Sequence, residues 1–328
     1  MAQRDYEQNQ FIADTRQTVE QYLTSWLEAR RPFIKEHTWE GYEAMIPLHV
    51  VPVIGKVKLA QLTAQHVQQV VTATHDEGLS TRTVAEAYSV LHRALRAAER
   101  LGIVPQAAST RVQRPRIKRR EMRPLSREEA QGFLEAARGH WLEALFRLAL
   151  STGMRRGELL ALKWRDVDLD AGRLSVVASL RWRHGVAMYS TPKTKRSRRQ
   201  IALTAEMVST LVEMRRQQRA QRLRVGPAWQ GEAYDAVFSD ELGERLREKR
   251  VLLNFRRVLA TAGILTTVRF HDLRHTCATL LLQQRVHPKV VSEMLGHSSI
   301  TITLDLYSHV LPDMQDEAAR AMATALGW

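Results

Sequence analysis

His271 and Arg274 stand three positions apart, a second histidine follows a glycine in Leu295-Gly296-His297, and Tyr307 comes ten residues later. Positions i and i+3 share one face of a helix, so His271 and Arg274 can address a single ligand together. Leu273, Ala278, Leu281 and Leu282 recur at helical spacing on the other side and would seat that helix in a core. Imidazoles, a guanidinium and a phenol make little sense for a hydrophobic substrate. They suit a phosphate under attack. Taken singly, each has a plainer explanation: Tyr307 as a packed amphipathic side chain, His297 as a helix cap, and His275 beside Arg274 as a structural residue.

A second stretch far upstream adds weight. Thr152-Gly153-Met154-Arg155-Arg156-Gly157-Glu158-Leu159 follows an apolar run from Trp141 to Leu150, which reads as a helix stopped at Gly153. Arg155 then falls at a turn, with Glu158 one helical turn further on. Joined, the two stretches resemble the tyrosine recombinase (phage integrase) family of site-specific DNA recombinases. The shared pattern is an arginine in a TGxRxxEL box, a lysine in a β-turn, HxxR, LGH and a terminal tyrosine, in that order over residues 125–310.

The resemblance implies a mechanism. A phenol with its ordinary pKa of about 10 is a poor nucleophile, so Tyr307 needs nearby positive charge or a base to attack a DNA phosphodiester. Arg155 and Arg274 would hold the non-bridging oxygens, where negative charge builds. His271 and His297, titrating in their normal range, would shuttle or donate protons. The lysine that protonates the departing 5′-hydroxyl oxygen is Lys193, with Lys195 as the alternative, and Glu158 orients the neighbouring arginine or histidines. The attack leaves a 3′-phosphotyrosyl link, which a second strand's 5′-hydroxyl displaces. One phosphodiester replaces another, so neither ATP, a metal nor any other cofactor is implied.

The expected partners are double-stranded DNA recombination sites, with a homotetramer on two duplexes, a monomer or dimer without DNA, and an accessory directionality factor. The expected activity is integration or excision of a phage or other mobile element. Two other readings use overlapping residues: a type IB topoisomerase that relaxes DNA, and a DNA-binding protein without catalysis. The TGxRxxEL box behind a helical domain, the LGH and the C-terminal tail favour recombination, and the complete residue set argues against lost catalysis.

The elements that must position these residues are legible as two domains, which 328 residues can fill, each with its own core. The fold class expected is mainly α: an all-α four-helix core-binding (SAM-like) domain, then an α+β tyrosine-recombinase catalytic domain with a small three-stranded antiparallel sheet. Residues 1–14 read as a tail, too short for the N-terminal arm-binding module that many integrases carry. Residues 15–105 read as the helical domain. Thr63 is a candidate N-cap, the fourth helix runs from about Ser80 to Leu101, and Gly102 is its C′ residue. Residues 106–124 read as a basic linker, and 125–328 as the catalytic domain, opening on a capping box at Ser126 and Glu129 and closing with an exchange segment, 312–328. Three strands, Arg173–Ala178, Val186–Thr191 and Arg198–Leu203, are expected to form an antiparallel meander.

Charge fits the same partner. Lys and Arg number 49 against 35 Asp and Glu, a net charge of +14 that favours a polyanion. The excess clusters in the linker (Arg111, Arg114, Arg116, Lys118, Arg119, Arg120) and in a turn (Lys193, Lys195, Arg196, Arg198, Arg199), as backbone tracking along DNA would use. One cysteine, Cys277, excludes a disulfide framework. No apolar run is long enough to span a membrane, and the polar N-terminus lacks a signal-peptide core, so a cytoplasmic protein is expected.

Overall fold

The computed structural model describes residues 16–117, 122–183, 185–190, 198–231, 235–265, 267–310 and 314–327, with backbone alone at 307–310, 314–318 and 321. Two compact units divide the chain, Met1–Arg120 and Glu121–Trp328.

The first unit is helical among its described residues. Helix α1 (Val19–Arg30) opens on a reciprocal cap: the Thr18 hydroxyl accepts from the Gln21 amide, and the Gln21 side chain accepts from the Thr18 N–H. Helix α2 (Glu36–Met45) follows and brings Trp39 into the core. Pro47 then denies the chain an amide hydrogen, and a π-helical turn, Ile46–Val50, leads into the short α3 (Val51–Ile54). Thr63 caps α4 (Ala64–Asp76) and Ser80 caps α5 (Thr81–Arg100). Gly102 ends α5 with a φ of +67°, a conformation that costs a side chain but not glycine. Leu23, Val50, Val67, Val70, Leu91 and Ala94 are fully buried where these helices meet. The Tyr88 hydroxyl donates to the Ser109 carbonyl at 2.9 Å, tying the stretch after α5 back to the bundle.

The second unit starts at α6 (Arg127–Ala136), where Ser126 and Glu129 form the expected capping box. Helix α7 (Glu143–Thr152) is buried along most of its length and stops at Gly153, whose φ is +61°. Helix α8 (Arg156–Ala161) follows at once. After the strands come α9 (Ala205–Val225), α10 (Glu248–Thr261), α11 (Asp272–Gln283), α12 (Pro288–Leu295), α13 (Thr301–Val310) and α14 (Met314–Leu326). Phe133, Phe146, Phe255 and Phe270 meet in tilted and edge-on contacts that join α6, α7 and α10 to the approach to α11. Leu273, Thr276, Cys277, Ala278 and Leu282 are buried, so α11 runs through the interior.

The strands pair differently from the expected meander. Strands β1 (Val167–Asp168), β2 (Arg173–Val176) and β5 (Arg199–Ala202) form a three-stranded antiparallel sheet in the order β1-β2-β5. Strands β3 (Ser179–Arg183) and β4 (Val186–Ser190) form a separate two-stranded ribbon. The stretch Val186–Ser190 is therefore no neighbour of β2 or β5. Its partner, Ser-Leu-Arg-Trp-Arg, carries too many charges to show as a strand by hydrophobic alternation. The ribbon also packs on α8. A Cβ at Gly157 would lie 2.5 Å from the Ser179 hydroxyl and 2.9 Å from the Leu180 carbonyl, so only glycine lets the two backbones approach.

Candidate active site

The Arg155 side chain is placed by the sharp change of direction between α7 and α8. Arg155 is the N-cap residue of α8, with extended backbone. Its amide donates to Glu158 Oε2 and its Nη1 to Glu158 Oε1, both at 2.9 Å. Its Nη2 reaches the Gly296 carbonyl at 3.3 Å. The adjacent arginine is directed elsewhere: Arg156 donates to Glu248 on α10 at 2.6 Å.

Arg274 docks into the same turn from α11. Only 3% of it is exposed, and its Nη1 donates to the Gly153 carbonyl at 2.8 Å. Its Nη2 is buried with no hydrogen-bond partner among the described residues. A Cβ at Gly153 would lie 2.3 Å from Leu295 Cδ2 and 3.3 Å from Cys277 Sγ. The ends of α7 and α12 and the middle of α11 thus close on one glycine, which brings Arg155 and Arg274 together. His271 is the N-cap residue of α11, its ring 5.0 Å from that of His275.

His297 follows Gly296, which ends α12 in the left-handed region with a φ of +66°. Its amide donates back to the Ser292 carbonyl at 3.1 Å, and its Nδ1 lies 2.8 Å from the hydroxyl of Thr303 on α13. Thr303 is buried, so this bond fixes the imidazole against α13. Tyr307 stands one helical turn beyond Thr303 on the α13 backbone, and its side chain lies outside the described residues. A cavity of about 530 Å³, lined in part by Arg198, Arg199, Ser292 and His297, opens beside this turn.

Clustered cations set the electrostatics. Burial, then Arg155, pushes the Arg274 guanidinium down to about 9, leaving it charged at neutral pH. Burial disfavours the charged form of Glu158, but bonding to Arg199 and then Arg155 outweighs it and holds the carboxyl below its usual range. The ordinary titration expected of His271 and His297 does not hold. Burial brings His271 down to about 4, helped by His275, Arg274 and Arg155. Burial does the same to His297, again to about 4, helped by Arg274, Arg155, His275 and Arg199. Both rings are neutral at pH 7, offering one N–H donor and one acceptor nitrogen each. Burial pushes the Cys277 thiol up to about 12, which makes it an inert core residue.

Of the basic residues singled out in the sequence, Arg111, Arg114, Arg116 and Arg198 are exposed. Lys118, Arg119, Arg120, Lys193, Lys195 and Arg196 lie outside the described residues.

The Phage integrase family pattern matches residues 123–314, more than half of the chain. This chain belongs to the phage integrase family. The family's N-terminal SAM-like domain also matches, over residues 18–74. Among curated relatives, a tyrosine recombinase XerC-like protein of Caldanaerobacter subterraneus subsp. tengcongensis is 37% identical over 62% of this chain, and the match spans 54% of that relative. An integrase of Streptomyces ambofaciens is 30% identical over 93% of this chain and 79% of its own length. Among solved structures, the Tn1549 transposon integrase in complex with transposon right end DNA shares the fold, with a TM-score of 0.79 at 21% identity over 95% of this chain and all of that one. A lambda integrase dimer bound to a COC′ core site has a TM-score of 0.66 at 22% identity, covering 88% of this chain and 77% of that one. The chain is thus a tyrosine recombinase by family.

One residue of this buried cluster is not singled out by reading the sequence. Arg199, at the start of β5, has a side chain only 5% exposed and bonds the same Glu158 that holds Arg155. Its sole signal is membership of the basic run ending at Arg199, where charge pattern alone assigns it to DNA with its neighbours.

Proposed function

We propose that this chain is a site-specific DNA recombinase that integrates or excises a mobile element, with Tyr307 cutting one strand and passing its 3′ end to a partner strand. The observation that carries this reading is the pair of guanidiniums, Arg155 and Arg274, held at one turn with the Arg274 Nη2 unpartnered among the described residues. A buried donor without a partner costs roughly 1–3 kcal/mol, and an anionic oxygen is the ligand that relieves it best. A phosphodiester entering there would meet both guanidiniums where charge develops. Its own negative charge would raise the pKa of His271 and His297 towards the range in which they exchange protons. Thr303 braces His297, and one turn later on the same helix comes Tyr307, the nucleophile. Lys193, or Lys195 in its place, protonates the leaving 5′ oxygen.

The basic linker residues (Arg111, Arg114, Arg116, Lys118, Arg119, Arg120) and the turn residues (Lys195, Arg196, Arg198) would neutralise DNA phosphates. The tail, 312–328, would dock on a neighbouring protomer, as an assembly on two duplexes requires. Met322 and Leu326 leave an apolar stripe of α14 exposed, which supports that role. No helix among the described residues is long and apolar enough to cross a membrane, which is compatible with work on DNA in the cytoplasm.

A nicked suicide duplex from the flanks of the encoding element tests the proposal. The wild-type chain is expected to accumulate a covalent 3′ adduct, and Tyr307→Phe to bind the duplex without forming it. Arg274→Ala should slow cleavage by roughly 100- to 1000-fold. An adduct that persists in Tyr307→Phe would reassign the nucleophile and sink the proposal. A substrate with sulfur at the bridging 5′ position needs no protonated leaving group, so it should rescue the alanine variant of whichever lysine is the acid. Paired-site substrates separate the activities, since relaxation without recombinant product would mark a topoisomerase.

A further inference from the structure

Glu158 and the two arginines bonded to it link three segments distant in sequence. The two Glu158 oxygens accept from the Arg155 amide and Nη1 and from Arg199 Nη1 and Nη2, the last at 2.8 Å. Arg199 also sends its Nε to the Met294 carbonyl at 2.6 Å, and Arg155 sends its Nη2 to the Gly296 carbonyl. These carbonyls lie at the C-terminal end of α12, where helix carbonyls have no partner within the helix. His297 is the next residue after Gly296. A Cβ on Gly296 would lie 3.0 Å from Arg199 Nη1, so the guanidinium fills the space beside the turn.

We propose that Arg199 is a positioning residue of the strand-cleavage site, fixing Arg155 through Glu158 and holding the end of α12 that presents His297. The inference rests on the function proposed above. Two features separate it from an ordinary structural ion pair. Arg199 bonds two elements that each carry a site residue, so its loss would move both. The fork is fully used: Nε goes to one segment and both Nη groups to another, a geometry that a lysine ammonium cannot span.

The test compares Arg199→Lys, Arg199→Gln and Arg199→Ala in the full chain, beside Arg155→Ala and the Arg155→Ala/Arg199→Lys pair. Each variant is measured for affinity to the duplex, single-turnover cleavage of the suicide substrate and thermal midpoint. Arg199→Lys keeps the charge and loses the fork, and cleavage is expected to fall roughly 10- to 100-fold while DNA affinity stays within about threefold. In the Arg155→Ala background the same change should cost less than it does alone, because one of its two routes is already broken. A merely structural role would give additive losses that follow the thermal midpoint. Wild-type cleavage by Arg199→Lys, or loss of folding and cleavage together in all three variants, overturns the inference. Normal cleavage by Arg155→Ala would bring down the functional reading and this inference with it. An inactive Arg155→Ala beside a fully active Arg199→Lys would bring down this inference alone.

Discussion

Removing the carboxylate at position 158 strands a buried cation, and the geometry sets the size of the loss. The Arg199–Glu158 pair is 2.8 Å apart, with side chains 5% and 6% exposed. Glu158→Ala leaves the Arg199 guanidinium buried beside no anion, and breaking a buried pair from one side costs about 3–5 kcal/mol. Arg155 adds little to that sum, because its side chain is 41% exposed and can turn to water. The Arg82–Glu86 pair serves as a control: its separation is also 2.8 Å, with side chains 77% and 50% exposed. There Glu86→Ala should cost only about 0.3–0.5 kcal/mol, since water already solvates both groups. The assay is urea denaturation of each variant, read as a midpoint shift at unchanged slope. Adding Arg199→Met to Glu158→Ala should bring the cost below that of Glu158→Ala alone, because an apolar side chain removes the stranded charge. A Glu158→Ala cost of less than about 1 kcal/mol would refute the burial argument, as would a double variant less stable than the single one.

Gly153→Ala forces a side chain into positive φ and places Cβ 2.3 Å from Leu295, whereas Gly139→Ala has similar φ (+73°) and nothing within 4 Å. Both pay the left-handed strain of about 1–2 kcal/mol, and only the first should lose more than that in urea midpoint, together with cleavage. Acidification gives the other prediction. The folded pKa values of His271 and His297, both about 4, lie below the unfolded value of about 6.5. The unfolded chain therefore binds protons first as pH falls. Stability contributed by the neutral rings is complete above about pH 6.5 and is lost towards pH 4, with His275 and His92 shifted in the same direction. Glu158 and Asp272, held below their usual range, add losses only at lower pH. Urea midpoints at pH 7.5 and 4.5 check the sign, and a His297→Gln variant should show a smaller difference between them.

Much of this protein is written in local chemistry that sequence displays directly. Thr63, Ser80 and Ser126 cap the helices that begin after them, and Gly102 and Gly153 stop the helices before them. Those signals act within a few residues, so no knowledge of the fold is needed to read them. The order and spacing of Arg155, His271, Arg274, His297 and Tyr307 carried the family as well. Other features depend on residues far apart in the chain. Strand β2 pairs with β5 and not with the stretch at Val186–Ser190, because alternation marks a strand without naming its partner. Gly157 is glycine because the β3–β4 ribbon crosses it, and Gly153 because Leu295 and Cys277 close on it. Histidines that look titratable in a string of letters lose their charge once burial and neighbouring arginines surround them. Arg199 is the sharpest case: its basic run shows charge, but only the packing of β5 between α8 and α12 selects which cation is buried on Glu158. Local propensity is a property of neighbouring residues, whereas dielectric, partner and exposure exist only after the chain has folded.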